Sequence, residues 1–343
     1  MARPRSFLMW TYLIRRLMLA SIAILGVLVI VFVLSHVIPG DPVVAILGGQ
    51  ARDEAIEEVR RRWGLDRPLY EQFFRFVGRL AHGDLGMSLA TNRPVAVDLR
   101  AFFPATIELA TTAIVIGAGA GLAVGIVSAV AHGKWIDHVV RFLSLIGLSM
   151  PVFWLGLVLL LLLYARLGWL PGPGQLDIFV SRPPGVTGLL TVDALLARDF
   201  TALRNALSHL ILPAVVLGSH ALVGIARITR ASMLEVLGQD YVKVARAKGL
   251  AERTVILRHA LKNALLPIIT VIGIYYGGLL EGAVLTETVF AWPGLGRYAT
   301  NAMLSQDFAG IMGVTLLIAL IFSFANLIVD LAYGFLNPKI RYE

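Results

Sequence analysis

Six long apolar stretches, at 13–38, 105–131, 139–165, 207–226, 264–287 and 311–333, decide what this chain can become. Each holds about 20 or more residues, enough for an α-helix to cross a hydrocarbon core about 30 Å thick. In lipid every backbone N–H and C=O needs a partner within the protein, and a helix supplies those partners within the segment itself. The expected fold class is therefore an all-α membrane protein with six transmembrane helices. Only 15% of the residues are charged and 57% are hydrophobic, whereas soluble domains carry about 25% charge. The apolar run from Leu17 to Ile38 is too long for a signal peptide and lacks a small-residue cleavage site after it, so it is read as a retained first span. The fourth stretch is the least continuous, because Pro213, Ser219 and His220 interrupt it.

The net charge of +8 does not point to nucleic acid, because the basic residues gather at the ends of apolar segments. Arg3, Arg5, Arg15 and Arg16 precede the first span, and Lys134 and Arg141 flank the second connection. Arg227, Arg230, Lys243, Arg246, Lys248, Arg253, Arg258 and Lys262 fill the fourth, and Lys339 and Arg341 close the chain. The fifth connection, on the other side, has only Arg297. By the positive-inside rule both termini are expected to be cytoplasmic. The first connection carries nine arginines, but also nine acids, and it exceeds the roughly 60 residues over which loop charge sets topology.

This divides the chain into a cytoplasmic N-terminus at 1–12, a first span at 13–38, an external lobe at 39–104, a transmembrane core at 105–334 and a cytoplasmic C-terminus at 335–343. In the lobe, Gly-Asp-Pro at 40–42 opens the loop and 53–63 is expected to be a surface helix, with Glu57/Arg61 and Glu58/Arg62 at i,i+4. The third connection begins Gly168-Trp-Leu-Pro-Gly-Pro-Gly174, which cannot continue a helix. Trp169 suits a membrane–water interface.

The cytoplasmic loop at 227–263 is the strongest candidate site. Asp240 is placed to cap a helix starting at Tyr241. Tyr241, Val244, Ala245 and Lys248 then share a face, with Lys243, Arg246 and Ala247 elsewhere. Gly249 is a natural stop, since it takes φ > 0 without a Cβ penalty. A second helix is expected from about Glu252 towards Pro267, through Arg258 and His259. The pattern suits a docking element for a cytoplasmic partner, and it equally suits a solvated basic loop against anionic lipid.

Gly117, Gly121 and Gly125 recur every fourth residue in the second span, and Gly273/Gly277 and Gly278/Gly282 do so in the fifth. Small residues let helices approach closely, in a static or a sliding interface. Pro151, Pro213 and Pro267 each remove a backbone donor and kink or break a span. Among ionisable residues in the spans (His36, Glu108, His209, His220, Glu281, Asp330), Glu108 and Asp330 fall near span ends, where water reaches them. Glu281 lies deeper and marks a pathway. His209 and His220 are three helical turns apart, too far to share a metal.

Nothing in the chain reads as an enzyme. There is no phosphate-cradling G-x-x-x-x-G-K-[ST] and no H-E-x-x-H. Neither Ser149 nor Ser219 sits in a G-x-S-x-G elbow. The absence of cysteine excludes a thiolate site. No catalytic, cofactor or metal site is expected on this chain.

The loop Asp240-Tyr-Val-Lys-Val-Ala-Arg-Ala-Lys-Gly-Leu250, followed by Arg258-His-Ala-Leu-Lys-Asn-Ala-Leu-Leu-Pro267, resembles the coupling-helix region of ABC-importer permeases of the dipeptide/oligopeptide/nickel branch. Other segments agree in order along the chain: His36–Pro42, Gly83–Gly86, Phe103–Ala110, Phe153–Gly156, Gly168–Pro171, Glu287–Gly296 and Asp330–Pro338. The long first connection is similar to that of the B-type subunit. The loop departs from the general Glu-Ala-Ala-x-x-x-Gly-x9-Ile-x-Leu-Pro pattern: Lys243 and Val244 replace its first two residues, His259 the isoleucine and Lys262 the proline. Ala245 and Leu261 match. The resemblance implies a type I importer fold and several partners: a second, C-type permease, two cytoplasmic ATP-binding subunits, a periplasmic solute-binding protein and membrane lipid. ATP and Mg would be bound on the ATPase subunits only. It assigns ATPase coupling to Asp240, Tyr241, Val244, Ala245, Ala247, Lys248, Gly249, Arg258 and His259, with Pro267 as the kink at re-entry. It places Tyr275, Glu281, Glu287 and Trp292 on the translocation path. The implied cargo is a di- or oligopeptide, with nickel chelates, glutathione or opine and sugar conjugates as alternatives. An ATP-independent secondary transporter is the competing class; no internal repeat of the kind common in that class is visible.

Overall fold

The computed structural model describes residues 18, 19, 21–33, 52, 54, 57, 58, 60, 61 and 66–336, without the side chains of 281, 282, 325, 326 and 328–336. Most of the expected surface helix at 53–63, together with His36 and Gly-Asp-Pro at 40–42, lies outside the described residues, although Arg60 and Glu57 form an exposed pair at 3.3 Å. The described residues are helical, with one isolated bridge between Met87 and Pro94 and no strand.

The helices, in order, are α1 (Ser21–Val33), α2 (Leu69–Ala81), α3 (Val95–Val130), α4 (Trp135–Ser149), α5 (Val152–Leu159), α6 (Leu190–Leu196), α7 (Phe200–Leu237), α8 (Asp240–Ala247), α9 (Glu252–Thr254), α10 (Leu261–Gly282), α11 (Val284–Val289), α12 (Leu295–Leu304) and α13 (Phe308–Leu336). Wider π-type turns continue α5 over Leu160–Arg166 and join α9 to α10 over Val255–Ala260. Among the described residues three helical stretches are long and apolar enough to span, Val95–Val130, Phe200–Leu237 and Glu252–Leu280; Trp135–Ser149 and Val152–Arg166 reach that length and apolarity only as a bent pair. Ser21–Val33 and Phe308–Phe324 are shorter apolar helices at the positions expected for the first and last spans.

The third expected span is not one rod. Pro151 disfavours helical backbone at the residue before it. Met150 is extended, and the chain turns by 101° between α4 and the helix after it. Pro213 and Pro267, by contrast, lie inside continuous helices. α3 and α7 run 36 and 38 residues, about 54 and 57 Å at 1.5 Å per residue, so each outruns a bilayer core. α7 starts where Asp199 accepts the Ala202 N–H at 2.9 Å, which satisfies one of the unpaired first-turn donors.

The chain forms two compact units. The first contains the described residues up to Phe103 and Gly294–Ser323. Leu28, Phe32, Phe76 and Leu316 form one of its cores; Val95, Leu99, Leu295, Tyr298 and Val314 form another. Asp307 caps α13 through the Gly310 N–H at 3.0 Å and accepts the Ser88 hydroxyl at 2.5 Å. Tyr298 stacks on Phe102 at 5.1 Å, and burial pushes its hydroxyl up to about 12.

The second unit, built on Pro104–Pro293, is organised around α7. The apolar window of α7 is 72% buried, against 39% for that of α3; α7 is the central helix of this unit, and α3 leaves residues such as Val115 exposed. The predicted glycine face of α3 meets α7. A β-carbon at Gly117 would lie 2.7 Å from the Gly218 oxygen, one at Gly121 2.8 Å from the Leu222 oxygen, and one at Gly125 2.5 Å from the Thr229 Cβ. In return, a β-carbon at Gly218 would lie 2.4 Å from the Ala113 oxygen. The fifth-span glycines play no matching part at Gly278, which faces open space; there it is Gly224 of α7 that makes room for Tyr275.

Candidate functional site

α7 passes through Gly238 and Gln239 directly into α8. The helix begins at Asp240, one residue earlier than predicted, because Gln239 takes the extended capping position. Asp240 is therefore a first-turn residue, not the cap, and pairs with the Lys243 ammonium at 2.9 Å. Gly249 stands just beyond the helix at φ +76, the left-handed conformation that ends it, and its N–H reaches the Arg246 oxygen at 2.9 Å.

One face of α8 is used within the chain. Val242, Ala245 and Val255 are buried together against Val236 and Leu237, a small core that fixes α8 to the end of α7. Ala245, expected to take part in coupling, is buried in this core. Helical spacing grouped it with Tyr241 and Val244 but could not say which face the chain covers. Tyr241, Val244, Ala247, Lys248 and Arg258 are exposed, and His259 is half-buried. Across the turn, Arg246 meets Glu252 through two bonds at 2.7 and 3.2 Å. The Asn263 amide donates to the Tyr241 hydroxyl at 2.8 Å and to the His259 carbonyl at 2.9 Å. α8 is thus joined both to α7 and to the start of α10. The change in helical winding lies at Val255–Ala260, upstream of Pro267.

The residues placed on a path divide differently. Tyr275 is half-buried against Gly224, with its ring 6.1 Å from that of His220. The backbone of Glu281 belongs to α10, and its side chain lies outside the described residues, as does that of Asp330. Glu287 and Trp292 are enclosed at 0% and 1% exposure. Glu287 accepts the Thr106 hydroxyl at 2.7 Å, and the Trp292 indole donates to the Ala105 carbonyl at 2.9 Å. Both are core residues that seat the 287–293 segment.

Glu108 also departs from expectation. α3 begins at Val95, so Glu108 is deep within a helix and only 6% exposed. One of its oxygens accepts the Thr191 N–H at 2.7 Å and the Thr191 hydroxyl at 2.5 Å, while the other has no partner. Nearby in sequence, Asp193 accepts the Thr187 N–H and hydroxyl at 2.7 and 2.8 Å and the Gly188 N–H at 3.0 Å. Burial works against its charge, but these bonds outweigh it and hold the carboxyl below its usual range. His209 is buried, with Nδ1 2.9 Å from the Asn205 carbonyl.

One cluster has no precursor in the sequence reading. At the end of the unit that carries α8, Asp137 of α4 is 1% exposed. Arg230 of α7 grips it with both prongs, Nε to Oδ1 at 2.7 Å and Nη2 to Oδ2 at 2.8 Å. The Ser128 hydroxyl of α3 adds a bond at 2.7 Å and the Gly133 N–H one at 3.2 Å. Arg230 and Asp137 are 93 positions apart, and in the sequence Arg230 is one more boundary charge.

A long helix thus leads through a short exposed helix and a left-handed glycine back into an apolar helix. Residues 121–342 match the family of binding-protein-dependent transport system inner membrane components, and residues 9–110 match the N-terminal region of such components. The chain belongs to this family and is a B-type permease subunit of an ABC importer. It is 46% identical to a probable D,D-dipeptide transport system permease protein of Escherichia coli, over 96% of this chain and 97% of that protein. It is 44% identical to a di/tripeptide transport system permease protein of Pseudomonas aeruginosa, over 98% and 100%. It is 38% identical to a glutathione transport system permease protein of Escherichia coli, over 98% and 100%.

Proposed function

We propose that the chain passes short peptides, delivered by a periplasmic solute-binding protein, across the inner membrane as one half of a pair with a C-type permease. Two ATP-binding subunits on the cytoplasmic side hold ATP and Mg and carry out hydrolysis; this chain carries no catalysis. Both termini are cytoplasmic, and so is α8. The observation that carries the coupling role is the exposed face of α8, with Tyr241, Val244 and Lys248, on a helix packed through Val242 and Ala245 onto α7 and hydrogen-bonded through Tyr241 to α10. A push on that face reaches two spanning segments without passing through a slack linker. ATP-driven closure of the ATPases biases the permease between two states because the docked helix binds them differently in each. Peptide-transport names among the relatives support a peptide cargo, and one relative named for glutathione transport keeps that tripeptide as the second reading.

The test is reconstitution of this chain with its C-type permease and ATPases in proteoliposomes, with the binding protein and labelled dipeptide or glutathione. Uptake that needs ATP and the binding protein is expected. Uptake without any ATPase subunit would overturn the importer reading, and uptake of glutathione but not dipeptide would overturn the cargo. In the same vesicles Gly249→Pro should leave hydrolysis running while uptake stops, because the turn that orients α8 is lost; unchanged uptake would refute the coupling role.

A further inference from the structure

We propose that Asp137 and Arg230 are positioning residues for the transport step: their ion pair makes α3, α4 and α7 move as one body with α8. The inference rests on the coupling role of α8 proposed above. Three helices meet at the one carboxylate: α4 supplies Asp137, α7 supplies Arg230 and α3 supplies Ser128. The guanidinium meets the carboxylate with two parallel bonds, a geometry that fixes angle as well as distance. His132 at 3.5 Å and Arg141 at 3.9 Å are the other charged or titratable groups beside it.

The pair acts where the rest of the α3–α7 interface cannot. Along Gly117, Gly121 and Gly125 the two helices touch through small residues and backbone. Such contacts are short-ranged packing with no directional bond, so by themselves they allow slip along the helix axis. The Gly125–Thr229 contact stands immediately beside Arg230 and Ser128. An interface of this kind, pinned at one end by a two-pronged ion pair whose carboxylate also binds the third helix, cannot slide, and the three helices move together. Arg230 lies about two turns before the end of α7, and only Gly238 and Gln239 separate that end from α8. Displacement of α8 therefore reaches the joint first, and through it α3 and α4.

The experiment uses the complete importer in proteoliposomes and reads dipeptide uptake and ATP hydrolysis in the same vesicles, with recovery of all partner subunits as the control for assembly. Asp137→Asn and Arg230→Lys should each leave assembly and hydrolysis in place and lower uptake per ATP by about tenfold, within the usual range of coupling between sites. The paired Asp137→Asn/Arg230→Gln variant keeps hydrogen bonding without a stranded charge and should show the same loss if a single variant fails to assemble. Unchanged uptake per ATP overturns the proposal. So does a parallel fall of uptake and hydrolysis, or failure of both the single and paired variants to assemble, because each assigns the pair to folding alone. Gly249→Pro run alongside separates the two readings. If it uncouples and Asp137→Asn does not, only the joint is refuted; if Gly249→Pro has no effect, the coupling role of α8 fails first.

Discussion

The two ends of the α7-centred unit hold their buried carboxylates in different ways. At the end that carries α8, Asp137 faces a guanidinium at hydrogen-bond distance. At the other end, Glu108 and Asp193 are held by threonine hydroxyls and backbone N–H groups, and Glu287 accepts the Thr106 hydroxyl among its bonds. A guanidinium–carboxylate fork joins two opposite charges through two parallel bonds of fixed orientation. A hydroxyl rotates to suit its acceptor. The first end is built as a stiff joint, and the second as a set of adjustable ties around loops that precede α6 and follow α11.

Breaking the joint should give the largest effect. Asp137→Ala leaves the partly exposed Arg230 guanidinium facing no carboxylate and should cost about 2–3 kcal/mol, read as a fall in the unfolding temperature of the purified chain in detergent. A change near that of an ordinary surface residue would erase the contrast. Between the ends, Gly218→Leu drives a side chain into the Ala113 carbonyl, which is backbone and cannot yield. Overpacking of about 1–3 kcal/mol is expected, with cross-linking between cysteines placed in α3 and α7 showing that the helices part. At the threonine end, Thr191→Val removes one of the two donors to Glu108 and should cost about 1–2 kcal/mol. A loss equal to that of Asp137→Ala would mean that the two ends are held with equal strength. Gly249→Ala meets no neighbour within 4 Å, so only the left-handed backbone is strained, at about 1 kcal/mol.

The smallest effect is one of pH. Asp193 is held below its ordinary value of 3.8. Its contribution is therefore present in full above that value and is lost as pH falls below it and the carboxyl gains a proton. Proteolysis of the 185–196 segment in vesicles should rise on acidification below about pH 4, and Asp193→Asn should flatten that dependence.

Most of the helical framework was legible. The apolar stretches at 105–131, 207–226 and 264–287 fall on α3, α7 and α10, and Gly249 ends α8 where its missing Cβ predicts. The Gly117–Gly121–Gly125 spacing correctly announced a close helix contact, though not that its partner is α7. The proline at 151 was legible as an interruption, while the size of the bend it permits was not. The site was read less well. Ala245 was assigned to the partner's side and faces inward, because helical spacing gives faces but not what covers them. Glu108 was read as reached by water, because the apolar stretch was taken to start near it and α3 starts at Val95. The resemblance put Glu287 and Trp292 on the translocation path, and in the structure Glu287 of α11 and Trp292 just after it bond to the start of the second span.

What the sequence by itself determined is local: the medium in which the chain folds, which segments are helices, where Gly249 stops one, and the family those residues mark. Hydrophobic length, capping and glycine freedom act within a few residues of one another, so they can be read along the chain. Only the tertiary structure decided which groups meet. Arg230 finds Asp137 across 93 positions, Thr191 finds Glu108 across 83 and Thr106 finds Glu287 across 181. Those pairings follow from how α3, α4 and α7 pack, and helix packing is set by the shapes of whole faces, which no single stretch of sequence contains.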